Sequence, residues 1–148
     1  MQISSRFTIA MHILTYIATQ DDEKITSDVL AKSIQVNPVI IRNILSQLRR
    51  AKLIAVKRGQ GGTSILLPYD QITLYDVYRA VDSIKGNTLF SFHDDPNPNC
   101  PVGQNIHNIL DDKLFSVQKA MEDQLKAITL KDVLVDAQKY LPDFSLAN

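Results

Sequence analysis

Apolar residues recur at three- and four-residue steps near the start of the chain, at Phe7, Ile9, Ala10, Ile13, Leu14, Ile17 and Ala18. That spacing predicts an amphipathic helix over 5–19, ended by the acidic turn Asp21-Asp22-Glu23. A second, short helix is predicted over 27–34, capped by Thr26 or Ser27 and burying Val29, Leu30 and Ile34. The third helix, 38–52, has the clearest start, with Asn37 as N-cap and Pro38 at the first helical position. Its apolar face is Ile41, Ile44, Leu45 and Leu48, and its opposite face carries Val39, Arg42, Asn43, Ser46, Gln47 and Arg50.

The period then changes. Residues 53–57 and 63–67 read as two strands joined by Arg58-Gly59-Gln60-Gly61-Gly62, a glycine-dense hairpin turn with a basic root. Pro68 closes the hairpin, and Thr73 caps a fourth helix reaching about residue 83, with Leu74, Val77, Tyr78 and Val81 inward. A proline-rich irregular stretch over 84–101 precedes a long helix predicted at 103–128. Its stripe is Ile106, Ile109, Leu110, Leu114, Val117, Met121, Leu125 and Ile128. Thr129 caps a last helix over 130–140, and the residues from Pro142 are expected to be loose. Three short helices followed by a hairpin is the order of a winged helix-turn-helix. The fold class is therefore mainly α with a small β-hairpin wing, plus a long C-terminal dimerisation helix. The divisions are a winged domain over 1–83, a sensor loop over 84–102, and the long helix with its C-terminal partner over 103–148.

Composition places the chain among soluble globular proteins, at 45% hydrophobic and 22% charged residues. No apolar run is long enough to span a bilayer, and Thr8, His12 and Thr15 interrupt any secretory pattern. A single cysteine, Cys100, excludes an internal disulfide framework and fits a reducing cytoplasm.

Charge changes the picture most. The chain is neutral overall, with 16 basic and 16 acidic residues, yet 29–69 contains no Asp or Glu and carries Lys32, Arg42, Arg49, Arg50, Lys52, Lys57 and Arg58. A surface cleared of carboxylates suits a polyanion, because each carboxylate there would repel phosphates. Double-stranded DNA is the partner this implies, with the third helix in the major groove and the hairpin as wing. Asn37 and Asn43 have the chemistry to pair with adenine, Arg42 with guanine, and Val39 to meet a thymine methyl. Asn37 is open to a plainer role as a cap, and Arg50 and Lys52 to one as helix-end cations. Arg58, at the root of Gln60, Gly61 and Gly62, suits a narrow minor groove. No Lys-Ser/Thr pair or helix start follows the glycines, which sets a P-loop aside.

Four blocks, Ile3-Ser4-Ser5-Arg6, Leu48-Arg49-Arg50-Ala51-Lys52-Leu53-Ile54, Arg58-Gly59-Gln60-Gly61-Gly62 and Ile72-Thr73-Leu74-Tyr75-Asp76-Val77, stand in the order and spacing of a known family. The chain resembles the Rrf-two family of bacterial transcription regulators, from its N-terminus to at least Ile128. The resemblance implies a homodimeric winged-helix protein, commonly a repressor of a palindromic operator. It adds Ser5 and Arg6 to the DNA-binding candidates, beside Gln47 on the exposed face of the third helix, and makes the long helix the dimer seam. One departure bears on cofactors. Cluster-binding members carry three cysteines before the long helix, where this chain has Cys100 alone. An iron–sulfur cluster is therefore not expected, and the chain looks like the cluster-free branch of the family, the YwnA-like proteins.

Cys100 has three readings: a structural residue, a redox-sensing thiol before a helix N-terminus, or a metal ligand with His93, Asp94 and His107, whose spacing matches no recognised zinc pattern. An enzyme built on His93, Asp94, Asp95 and Cys100 lacks an oxyanion donor or nucleophile elbow. A winged-helix protein-interaction module without DNA binding is the other rival, and it leaves the acid-free stretch without a purpose. A small-molecule or redox effector is compatible with the loop.

Overall fold

The computed structural model describes residues 4–20, 24–57, 61–81 and 88–146. Helix α1 (Ser5–Thr19) is N-capped by Ser4, whose side chain accepts from the Arg6 N–H, and it buries Ala10, Ile13, Leu14, Ile17 and Ala18. Helix α2 (Ser27–Ile34) is capped by Thr26 and buries Leu30 and Ala31. Val29 and Ile34, both placed inward by the sequence pattern, are only half-buried, because a two-turn helix presents too narrow a face to bury four side chains.

The turn from α2 to α3 (Pro38–Arg50) passes through Gln35 in the left-handed region (φ 57°) and Asn37, whose side-chain oxygen accepts from the Val39 N–H at 2.8 Å. Helix α3 buries its predicted face, Ile41, Ile44, Leu45 and Leu48. It ends at Arg50 rather than 52. Lys52 adopts φ 61°, its N–H donates to the Arg49 carbonyl, and the Leu53 N–H reaches the Leu48 carbonyl. That pair of bonds is a Schellman stop, here made without glycine.

Strands β1 (Ile54–Val56) and β2 (Thr63–Ile65) pair antiparallel with Ile54 opposite Ile65 and Val56 opposite Thr63. The Lys57 N–H then closes on the Gly62 carbonyl, and Gly61 and Gly62 both take positive φ, 54° and 138°. A short 3-10 turn, Tyr69–Gln71, leads into α4 (Leu74–Val81), which buries Val77, Tyr78 and Val81. The long helix α5 runs over Pro101–Ala127, starting earlier than the pattern suggests because Pro101 takes the first helical position.

Helix α6 (Leu130–Ala137) returns to the winged elements. Leu130 and Leu134 lie in one core with Ile13, Leu14, Ile41, Ile44 and Val77. Two reciprocal capping boxes, Thr73 with Asp76 and Thr129 with Asp132, begin α4 and α6. The caps are themselves joined, since the Leu74 N–H donates to the Ile128 carbonyl (2.9 Å) and the Leu130 N–H to the Ile72 carbonyl (2.7 Å). The end of α5 is thereby fastened to the winged core. The segment after Pro142 is not loose as expected: Phe144 and Leu146 pack on the core, and the Leu146 N–H donates to Gln138 Oε1.

Candidate nucleic-acid interface

The solvent face of α3 has a centre and two edges. Taking Val39 as reference, a helix of 3.6 residues per turn puts Asn43 and Arg50 within about 40° of it. Gln47 falls about 80° to one side, and Arg42 and Arg49 about 60–80° to the other. Val39 is 55% exposed, and Arg42, Asn43 and Arg50 are exposed. Asn37, at the head of this face, spends its side-chain oxygen on the helix cap.

The two edges meet different neighbours. On the Gln47 side, Arg6 from the first turn of α1 donates from Nη2 to Gln47 Oε1, both side chains being half-buried. On the other side, Arg42, Ser46 and Arg49 line an open cleft of about 340 Å³, whose far walls are Ser27 at the start of α2 and Gly61 and Gly62 of the wing. Among the described residues no acidic side chain lines it. Among the described residues the ion pairs are His107–Asp111, Lys119–Asp123 and Lys139–Asp136, all in the C-terminal part. The cations Lys32, Arg42, Arg49, Arg50, Lys52 and Lys57 thus have no carboxylate partner among them. Arg58 and Gln60, placed at the wing tip from the sequence, lie outside the described residues.

One cation joins this surface that the sequence pattern did not single out for it, and another, Arg49, was expected to reach phosphates and now has a definite place. Lys24 lies outside the acid-free stretch beside Glu23, yet a Cβ added to Gly61 would overlap its Cε. Its stem therefore lies across the wing backbone. Arg49 reaches the cleft because it stands seven residues after Arg42, two turns along one face. That spacing was legible; that the cleft's opposite wall is the wing was not.

Helix α5 carries no buried residue over its whole length in the single chain, about 40 Å at 1.5 Å per residue. Within its stripe, Ile109 is 45% and Val117 53% exposed, while Ile106, Leu110, Leu114, Met121, Leu125 and Ile128 are half-buried. Phe115, outside the predicted stripe, is 67% exposed. The loop before α5 is tied to it: the Leu89 N–H donates to Gln118 Oε1, and the Phe92 ring lies 4.3 Å from that of His107.

Cys100 is the half-buried N-cap residue of α5. The backbone N–H of Gly103, and then that of Val102, face its sulfur and hold the thiol below the ordinary cysteine value, although no capping hydrogen bond is formed. His107 pairs with Asp111 through Nδ1 at 3.2 Å. Among the described residues no three His, Cys, Asp or Glu side chains converge into a metal-binding group.

A three-helix core, a recognition helix with an unneutralised basic face and a two-stranded wing define a winged helix-turn-helix DNA-binding protein. Residues 3–136 match the Rrf2 family, described as an iron-dependent transcriptional regulator. The chain is 43% identical over 132 residues to YwnA of Bacillus subtilis (strain 168), assigned as an HTH-type transcriptional regulator, covering 89% of this chain and 96% of that protein. The chain belongs to the Rrf2 family of HTH-type transcriptional regulators. A crystal structure described as a DNA-binding protein superposes with a TM-score of 0.72 at 39% identity, covering 88% of this chain and 99% of its own. A transcriptional regulator from Lactobacillus plantarum gives 0.73 at 27% identity, with 90% of each chain covered.

The family description implies iron. A cluster held by one thiolate, with no group of three His, Cys, Asp or Glu side chains among the described residues to complete it, lacks the donor set that iron–sulfur ligation needs. The residues of this chain do not fit that group. No helix among the described residues is long and apolar enough to cross a membrane.

Proposed function

We propose that this regulator acts as a homodimeric repressor of a palindromic operator, without an iron–sulfur cluster and without catalysis, in the cytoplasm. The observation that carries the dimer is α5, a 27-residue helix with an apolar stripe and no buried residue. A helix of that kind is completed by a second copy, and two-fold pairing presents two recognition helices to two half-sites. Residues 1–83 supply the DNA-reading unit, 84–102 the sensing loop, and 103–148 the pairing helix with α6.

In this reading Val39 and Asn43 meet base edges, while Arg42, with Arg49 across the cleft from the wing, grips backbone phosphate. Ser5, Arg6, Asn37, Gln47 and Arg50 border the groove, and Arg58, Gln60, Gly61 and Gly62 form the wing contact. The lowered Cys100 thiol favours a second reading of the signal, as a redox input through that sulfur.

The test is binding of the purified chain to the duplex upstream of its own gene and to a scrambled duplex, at two salt concentrations, with and without peroxide. Selective binding supports the operator reading, and reversible loss with peroxide supports Cys100 as the switch. R42A and R49A are expected each to weaken binding on all sequences and to lower the salt slope by about one. Equal binding to both duplexes at every salt concentration contradicts sequence-selective regulation through this face.

A further inference from the structure

The contact between Arg6 and Gln47 joins residues far apart in sequence, at the edge of the reading face nearest α1. A guanidinium has donors and no acceptor, so only the amide oxygen of Gln47 can face it. The amide is thus held in one of its two flips, with Oε1 turned to α1 and the NH₂ group turned away. An unconstrained glutamine pairs bidentately with adenine by presenting its oxygen and nitrogen side by side. A glutamine whose oxygen is tied back keeps one lone pair on that oxygen, but it leads with its NH₂ donors on the side away from α1. Arg6 is in turn free of any carboxylate among the described ion pairs, so none of these competes with Gln47 for it.

We infer that Arg6 is a positioning residue that sets the base preference of Gln47, turning its NH₂ donors to the groove so that it favours keto bases. In the major groove guanine offers N7 and O6 and thymine offers O4, all acceptors, whereas cytosine offers only its amino donor. Adenine offers one of each. The base facing Gln47 is therefore guanine or thymine in preference to adenine or cytosine. The inference rests on the operator reading above and assigns to one residue pair the choice at one position of the half-site.

The experiment selects bound duplexes from a randomised library with the full chain, the variants R6M, R6K and Q47A, and the double variant R6M/Q47A. Circular dichroism melts establish that each variant is folded. Q47A locates the position by erasing its preference. R6M, which keeps side-chain volume and loses the donors, is expected to shift that position towards adenine by roughly fivefold or more. R6K, still a donor with no acceptor, keeps the keto preference, and the double variant matches Q47A. An R6M protein with the wild-type preference overturns the inference. So does one weakened equally on every sequence with a shallower salt dependence, which makes Arg6 a phosphate contact. A wild-type chain that selects no sequence overturns the operator reading itself, and this inference with it.

Discussion

At the scale of single residues, position along a helix decides chemistry. Cys100 owes its lowered thiol to two backbone N–H groups at the start of α5, with no cation in the account. Its alkylation rate in the folded chain is expected to reach half-maximum at a lower pH than in the urea-unfolded chain, followed by mass spectrometry. V102P removes one of the two donors while leaving proline acceptable in the first turn, so its profile should move back up. A folded-state profile no lower than the unfolded one contradicts the N-terminal effect. Helix position also explains Arg49, which shares a face with Arg42, and Asn37, whose oxygen is committed to the cap.

At the scale of elements, α3 holds its reading face still by what lies behind it. Ile44 is 0% exposed in the shared core, so I44A is expected to cost about 2–5 kcal/mol by urea unfolding, with a matching loss of ordered DNA binding. The capping boxes of α4 and α6 fasten α5 to that core. Hydrogen bonds from Thr129, first its backbone N–H and then its hydroxyl, hold the Asp132 carboxyl below the usual carboxylate value. A depressed folded-state value means stability that is fully present above the unfolded aspartate pKa, about 3.9, and lost as pH falls through the lower folded value. The stability difference between the wild type and D132N should therefore be flat above that pH and shrink in stronger acid. A difference that grows on acidification has the wrong sign for this cap.

At the scale of the whole molecule, the single chain leaves every residue of α5 at least partly exposed. V117D alters a side chain that is 53% exposed in the single chain, so it should spare the winged core while disfavouring a paired one. Light scattering after size exclusion is expected to show a monomer for V117D and a dimer for the wild type. Affinity for a two-half-site duplex should fall steeply and that for a half-site little. A V117D dimer with unchanged affinity places the pairing surface elsewhere, with exposed Phe115 the next residue to change.

The order of helices and hairpin, the caps Thr26, Asn37, Thr73 and Thr129, the core face of α3 and the absence of acid from 29–69 were all legible in the sequence. Each depends on local periodicity, local capping or simple charge, which neighbouring residues determine among themselves. The stop of α3 was misplaced because a left-handed Lys52 carries no residue-type signal as glycine would. The burial of Leu130 and Leu134, the bridge joining Thr73 and Thr129, the docking of Phe144, the stem of Lys24 across the wing and the hold of Arg6 on Gln47 were decided only in three dimensions. Those contacts join segments distant along the chain. Their partners are chosen by how helices pack around one core, and no periodicity within either segment records that choice.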